Sequence, residues 1–128
     1  MDTPKKVIEL PECRIVLHER GYVEFFYLTR GEVDLALAKK LVSTVATLVS
    51  QPTPTLVNIN EVRGSSREAR MFFATSAENK AVASRVAFIT NSPLSRIIGN
   101  FFMGLNKRML PTRLFNDEKT ALEWLLAP

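Results

Sequence analysis

With 128 residues, of which 46% are hydrophobic and 23% charged, the chain has the length and composition of one globular domain, and we expect a single domain over residues 1–128. It contains no stretch near the ~20 apolar residues of a membrane span, and its polar N-terminus lacks the apolar segment of a secretory signal. The single cysteine, Cys13, excludes an internal disulfide and favours a reducing compartment, so we expect a cytoplasmic protein.

The net charge of +4 is unevenly distributed along the chain. The segment 63–113 holds nine basic and two acidic residues, a net +7, which leaves the remainder at −3. Such a segment is typical of a solvated basic face, or of a surface for an acidic protein, an anionic small molecule or nucleic acid. Nucleic acid is the least favoured partner, because no recognition-helix motif is present and the basic residues do not alternate with exposed aromatic residues.

The first predicted elements are two strands, 13–19 and 22–28, which pair as an antiparallel hairpin. Gly21 suits a tight turn between them, although a longer turn is also compatible with the sequence. A helix is predicted over 34–50, because apolar residues recur there at helical spacing and Asp34 provides a carboxylate for the free amides of its first turn.

The middle of the chain predicts a strand at 55–59 and then a short helix over about 66–76. Ser65, three residues before Glu68, has the spacing of a capping box at the start of that helix. Residues 77–84 are ambiguous and are compatible with a further turn of helix.

The last third of the chain predicts strand 86–90, helix 93–105, strand 113–115 and a final helix capped by Asn116 or Asp117. Strands that alternate with helices indicate crossover units on a parallel sheet. The predicted fold class is therefore α/β, with a mixed five-stranded sheet whose first strand is antiparallel and the rest parallel, and with four helices in the order β-β-α-β-α-β-α-β-α.

This order of elements, with the run V-N-I-N-E-V-R-G-S-S-R-E-A-R at 57–70 and F-N-D-E-K-T-A-L-E-W-L at 115–125, resembles the STAS domain. That family of sulfate-transporter and anti-sigma-factor-antagonist domains is also called SpoIIAA-like. The resemblance covers most of the chain, from about Cys13 to Leu126. It implies the SpoIIAA-like fold and a non-enzymatic role in regulation through protein contacts.

In anti-sigma antagonists a serine near a D-S-S-G pattern, at the start of the second helix, is phosphorylated by a partner kinase. The resemblance therefore implies Ser65 and Ser66 as candidate switch residues. Gly64 and Arg67 stand where the family pattern has Asp and Gly. A helix cap is the alternative role for Ser65, since a cap needs no modification.

A candidate anion site also follows from the predicted order. The carboxyl ends of parallel strands lie at one edge of a sheet, and helices that begin there expose amide donors. Arg63, Arg67, Arg96 and Ser92 belong to this edge, and they are candidates for contact with an anionic ligand or a protein partner. A nucleotide is less favoured than a simple anion, because the chain has no glycine-rich phosphate loop.

The predicted helix 93–105 and the loop after it supply a candidate apolar surface for a protein partner, a second copy of the chain or a lipid-like ligand. The related CRAL-TRIO fold, which binds lipids, makes the lipid-like ligand worth testing. The surface would consist of Phe101, Phe102, Met103, Leu105, Met109 and Leu110.

No catalytic or metal-binding constellation is predicted. The only histidine, His18, and Cys13 are five residues apart on one strand, so they point to opposite faces, and spacing places neither beside an acid. We therefore expect no metal, no cofactor and no enzyme. The predicted function is a regulatory or protein-interaction module, and the alternative is a binder of an anionic or lipid-like small molecule.

Overall fold

The computed structural model describes residues 2–28, 30–59, 62–90 and 110–128. These residues form eight strands and four helices. In chain order they are β1 (Pro4–Glu9), β2 (Cys13–His18), β3 (Tyr22–Tyr27), β4 (Glu32–Val33), α1 (Leu35–Val45), β5 (Thr53–Asn58), β6 (Gly64–Ser65), α2 (Arg67–Thr75), α3 (Ala77–Lys80), β7 (Ala83–Ile89), β8 (Thr112–Phe115) and α4 (Glu118–Leu125).

Six of the strands form one mixed sheet in the order β1-β2-β3-β5-β7-β8. The pairs β1–β2 and β2–β3 are antiparallel, whereas β3–β5, β5–β7 and β7–β8 are parallel. The predicted α/β class and the change from antiparallel to parallel pairing are confirmed. The helix predicted over 93–105, between β7 and β8, lies outside the described residues.

The sheet has one strand more than predicted, because β1 adds to its antiparallel edge. Its sequence, P-K-K-V-I-E, is mostly exposed and carries a proline and two lysines, which is why it lacks the apolar alternation of a buried strand. Proline and lysine on an edge strand also discourage pairing with other chains. A second small sheet, parallel β4–β6, was not predicted either.

The ends of the helices follow local capping. Asp34 accepts a hydrogen bond from the amide of Leu37 at 2.8 Å, as predicted for the start of α1. Helix α1 ends at Val45, earlier than predicted, because the next residues form tighter turns with bonds such as Leu48 N to Val45 O. Of the two residues proposed to cap α4, Asp117 does so.

The hairpin between β2 and β3 uses the longer of the two turns that the sequence allowed. Its three-residue connection ends at Gly21, which has a φ of +91° and donates its amide to the carbonyl of His18. Glycine adopts this left-handed conformation at little cost, so the awkward positive φ does not fall on Arg20.

The two faces of the sheet differ in what covers them. One face carries the larger core, in which Cys13, Phe25 and Tyr27 pack with α1 and α2. The opposite face carries a smaller core of Tyr22, Leu56, Ala87, Ile89 and Phe115 against α4. Helix α4 contacts β5, β7 and β8, which leaves a polar cleft beside β2 and β3 on this face.

Candidate functional site

The predicted switch serines have different surroundings. Ser66 is the N-cap of α2, and its Oγ accepts a hydrogen bond from the amide of Ala69 at 3.1 Å. Ser65 is buried in β6 and pairs with Val33 of β4. The capping box predicted at Ser65 is therefore wrong: pairing with β4 extends the chain through Ser65, so the helix begins one residue later.

Two arginines flank Ser66 at the surface. Arg63 and Arg67 are exposed, and neither makes an ion pair with the residues that the structure describes. The nearby Arg70 is half-buried, and its guanidinium donates to the carbonyl oxygen of Ser65. We name Arg63, Ser66 and Arg67 the basic loop surface.

The other predicted contacts at this edge are not tested by the structure. Ser92 and Arg96 lie outside the described residues, so their convergence with Arg63 and Arg67 stays a prediction. Most of the predicted apolar surface also lies outside them, namely Phe101, Phe102, Met103, Leu105 and Met109. Leu110 is described: it is half-buried and lines an apolar cavity of about 60 Å³ with Phe25, Val57 and Phe88.

The polar cleft on the α4 side has a volume of about 480 Å³. Strands β2 and β3 supply its floor, the N-terminal residues one wall, and the first turns of α4 the other. Its polar lining consists of Asp2, Arg14, His18, Arg20, Tyr22, Glu24, Glu118 and Lys119, and its apolar lining includes Val16, Phe26 and Leu122.

A buried pair, His18 and Glu24, lines the cleft. The Nε2 of His18 is 2.8 Å from Oε1 of Glu24, and the two residues are 8% and 4% exposed. The Nδ1 of His18 is also buried, with no hydrogen-bond partner among the residues that the structure describes. This pair was missed from the sequence, and the statement that spacing places His18 beside no acid is wrong.

Burial acts on both members of the pair. It raises the pKa of Glu24 to about 7, and the neighbouring carboxylates of Glu118 and Asp2 add to this rise. Burial also lowers the pKa of His18, against the opposing effect of Asp2 and Glu118. Both shifts disfavour the charged forms, so Glu24 keeps its proton up to a pH of about 7, and His18 takes up a proton only below its ordinary pKa.

A second group of contacts ties the N-terminal residues to the cleft. The hydroxyl of Tyr22 donates to the Asp2 carboxylate, and Arg20 Nη1 lies 2.9 Å from Asp2 Oδ1. The hydrogen bond from Tyr22 is the main reason that the pKa of Asp2 is lowered. The ring of Tyr22 stacks on His18 at a centroid distance of 4.4 Å and an interplanar angle of 20°.

The remaining titratable group that the sequence singled out, Cys13, lies in the core on the other side of the sheet from His18, as predicted. Burial raises the pKa of its thiol to about 12, so the thiol is protonated and unreactive at neutral pH. The described residues contain no group of three or more metal-ligating side chains. None of the helices that the structure describes combines the length and apolar character needed to cross a membrane.

A family model described as a domain of unknown function, DUF7793, matches residues 16–127. The chain belongs to this family. No curated protein matches the chain. A similar solved structure is that of an uncharacterised protein of the DUF3478 family from Shewanella loihica, described as having a SpoIIAA-like fold. It is 17% identical, with a TM-score of 0.46, over 94% of this chain and 90% of that one.

Proposed function

We propose that this DUF7793 chain is a non-enzymatic regulatory module that binds an acidic protein partner through its basic loop surface. The observation that carries the proposal is that Arg63 and Arg67 are exposed on either side of Ser66 and form no ion pair with any described residue. Unpaired surface cations supply the electrostatic complementarity that speeds association with an acidic partner and selects it.

The backbone that carries these side chains is held in place. The amide of Ser66 donates to the carbonyl of Val33 at 2.9 Å, and β6 pairs with β4. The guanidinium of Arg70 holds the carbonyl of Ser65 from the other side. A surface that is ordered before binding loses less conformational entropy when a partner docks, which supports a contact role for this loop.

Ser66 gives this surface a means of control. A phosphate on its Oγ would lie at the N-terminus of α2, close in sequence to Arg63 and Arg67, where negative charge is favourable. The same phosphate would neutralise the two cations that attract an acidic partner. We therefore expect phosphorylation of Ser66 to weaken binding, whereas the buried Ser65 is a poor kinase substrate.

The proposal is tested by affinity purification from the native host with a matched pair of charge reversals. Arg63→Glu/Arg67→Glu alters the basic loop surface, and Lys5→Glu/Lys6→Glu makes the same change in net charge on the exposed edge strand β1. We expect the first variant to lose partners that the wild type and the second variant retain. Equal retention by both variants, or equal loss, contradicts the proposal.

The switch is tested at Ser66 with two substitutions that both keep a helix cap. Asp and Asn are good N-caps, so Ser66→Asp adds a negative charge while Ser66→Asn adds none. We expect partner binding to fall in Ser66→Asp and to persist in Ser66→Asn. If the two variants bind alike, charge at residue 66 does not control the interaction.

Two alternatives share the same surface and have distinct outcomes. An anionic small molecule at Arg63 and Arg67 would raise the melting temperature in phosphate or sulfate, because a ligand that binds only the folded state stabilises it. A second copy of the chain as the partner would appear as a dimer in light scattering. The apolar surface predicted over residues 101–110 stays a further candidate for a protein or lipid-like ligand.

We also propose a cytoplasmic location, which the single thiol of Cys13 supports.

A further inference from the structure

We propose that the polar cleft binds a small ligand that carries a protonated amine. This inference is independent of the basic loop surface, which is built on β6 and α2, whereas the cleft lies between β2, β3 and α4. It rests on the geometry of three acceptor groups in the cleft and on the way the neighbouring cations are already engaged.

Two carboxyl groups meet in the cleft. Glu24 is buried in the floor, and the exposed Glu118 on α4 lines the same cleft and raises the pKa of Glu24. Two carboxylates that line one cleft each disfavour ionisation of the other, and a cation between them relieves this repulsion. A third carboxylate, Asp2, is already bound by Arg20 and by the hydroxyl of Tyr22. The acceptors left for a ligand are therefore Glu24 and Glu118.

His18 provides an independent observation that points to the same kind of ligand. Its side chain is more than nine-tenths buried and lines the cleft, and its Nδ1 has no hydrogen-bond partner among the described residues. When Nε2 donates its proton to ionised Glu24, Nδ1 carries a lone pair and accepts. His18 Nδ1 is then a buried acceptor without a donor among the described residues, and an ammonium group has three donors to offer.

Two of the three cations that line the cleft, Arg14 and Arg20, have other partners. Arg20 pairs with Asp2, while Arg14 lies over the ring of Phe26 at 5.7 Å and faces Glu9 at 4.0 Å. Lys119 is exposed beside Glu118 on α4. The apolar part of the lining, Val16, Phe26 and Leu122, suits a short aliphatic body on the ligand.

The proposal has a definite pH dependence. An ammonium group binds the ionised form of Glu24, whose pKa burial raises to about 7. Below this pH the ligand must displace a proton, so its affinity should rise about tenfold per pH unit up to about 7 and then level off. The other charged or titratable groups that face Glu24 are His18, Glu118, Asp2, Arg14, Tyr22, Arg20 and Lys119.

The test titrates the full chain with n-butylamine at several pH values from 5.5 to 8. Binding is monitored by the NMR chemical shifts of amides and side chains. Butyrate serves as a probe of opposite charge. We expect saturable shifts that localise to His18, Glu24 and Phe26 and that tighten as the pH rises. An absence of localised shifts at pH 8, or binding of butyrate that tightens as the pH falls, overturns the proposal.

Three variants distinguish binding of the amine in the cleft from a general effect of the protein's net charge. Glu24→Gln is close in size and should abolish the pH dependence and weaken the amine at least about tenfold. Because Glu24 is buried, the exposed Glu118→Gln provides a second variant that leaves the floor intact and should also weaken binding. Glu78→Gln, on exposed α3, makes the same charge change elsewhere and should leave the affinity unchanged. Equal affinity in all three variants overturns the proposal.

Discussion

His18 and Glu24 are joined by a hydrogen bond of 2.8 Å across the β2–β3 hairpin, although six residues separate them in sequence. The register pairs His18 with Tyr22 and Val16 with Glu24, so the side chains of His18 and Glu24 are diagonal neighbours on one face. The face is the one that α4 covers only in part. An acid and an imidazole are therefore held together where burial shifts the pKa of each, beside a cleft of about 480 Å³.

The first prediction concerns stability against pH. The pKa of Glu24 is higher in the folded state than in the unfolded state, so its ionisation has no effect on the unfolding free energy below a pH of about 4.5. As the pH rises from about 4.5 to about 7, the unfolding free energy falls. That loss amounts to about 3 kcal/mol. The pKa of His18 is lowered, so its contribution is complete above 6.5 and is lost as the pH falls below that value. The two slopes therefore oppose each other just below pH 6.5.

Urea unfolding of the wild type, Glu24→Gln and His18→Gln over pH 5–8 measures these slopes. Relative to wild type, Glu24→Gln should become progressively more stable as the pH rises to 7, because the ionisation penalty is gone. His18→Gln should show the opposite trend below pH 6.5. Differences in unfolding free energy that do not change with pH would show that the pair titrates alike in the folded and unfolded states.

The sequence predicts the parallel half of the sheet well, because buried strands and capped helices carry strong local patterns. Residues 86–90 and 113–115 are apolar runs followed by polar residues, and both appear as strands close to the expected places. Strand β1 was not predicted for a physical reason. An edge strand buries little apolar surface, so solubility constrains its residues more than core packing does. The β4–β6 pair has only two residues per strand, which is too short for any period to show.

The candidate site was only partly predictable. Ser66, Arg63 and Arg67 follow from their positions near a helix start, although the cap itself was placed one residue early. The cleft was missed because its residues come from both ends of the chain, Asp2 and Glu118 among them. One part of the cleft could have been predicted from the sequence, because alternation on the predicted hairpin places His18, Tyr22 and Glu24 on a common face.

The second prediction concerns the contact between Tyr22 and Asp2. Tyr22→Phe removes the hydroxyl that donates to the Asp2 carboxylate and keeps the ring that stacks on His18. We expect a loss of about 1 kcal/mol in unfolding free energy, the usual contribution of one hydrogen bond. The pKa of Asp2 should rise towards its ordinary value, since this bond is the main cause of its depression. An unchanged NMR titration of Asp2 in the variant would contradict this contact.

The third prediction distinguishes Ser66 as the cap of α2. Ser66→Ala should cost about 1 kcal/mol, while Ser66→Asn should cost little, because only the latter keeps an acceptor for the amide of Ala69. Ser84→Ala, at an exposed position in β7, serves as the control for loss of a surface hydroxyl. Chemical denaturation measures all three, and equal stability of the Ala and Asn variants would place the cap elsewhere.

The last prediction concerns Trp124, the only tryptophan of the chain, which lies between two arginines. The guanidinium carbons of Arg85 and Arg113 are 5.2 Å and 5.8 Å from the centroid of its ring, and Arg85 also donates to the carbonyl of Trp124 at 2.8 Å. These contacts fasten the end of α4 to β7 and β8. Arg85→Met keeps the aliphatic stem but loses the cation–π contact and the hydrogen bond.

We expect Arg85→Met to lower the unfolding free energy by about 1–2 kcal/mol. Tryptophan emission should shift to longer wavelength as the end of α4 loosens. Arg113→Met should have a smaller effect, because Arg113 contacts the rings of Phe115 and Trp124 but makes no hydrogen bond to α4 within the part of the chain that the structure describes. Lys80→Met, on exposed α3, removes one charge without touching Trp124 and should leave the emission unchanged. The reverse order of the two arginine variants would show that the hydrogen bond from Arg85 does not hold α4 on the sheet.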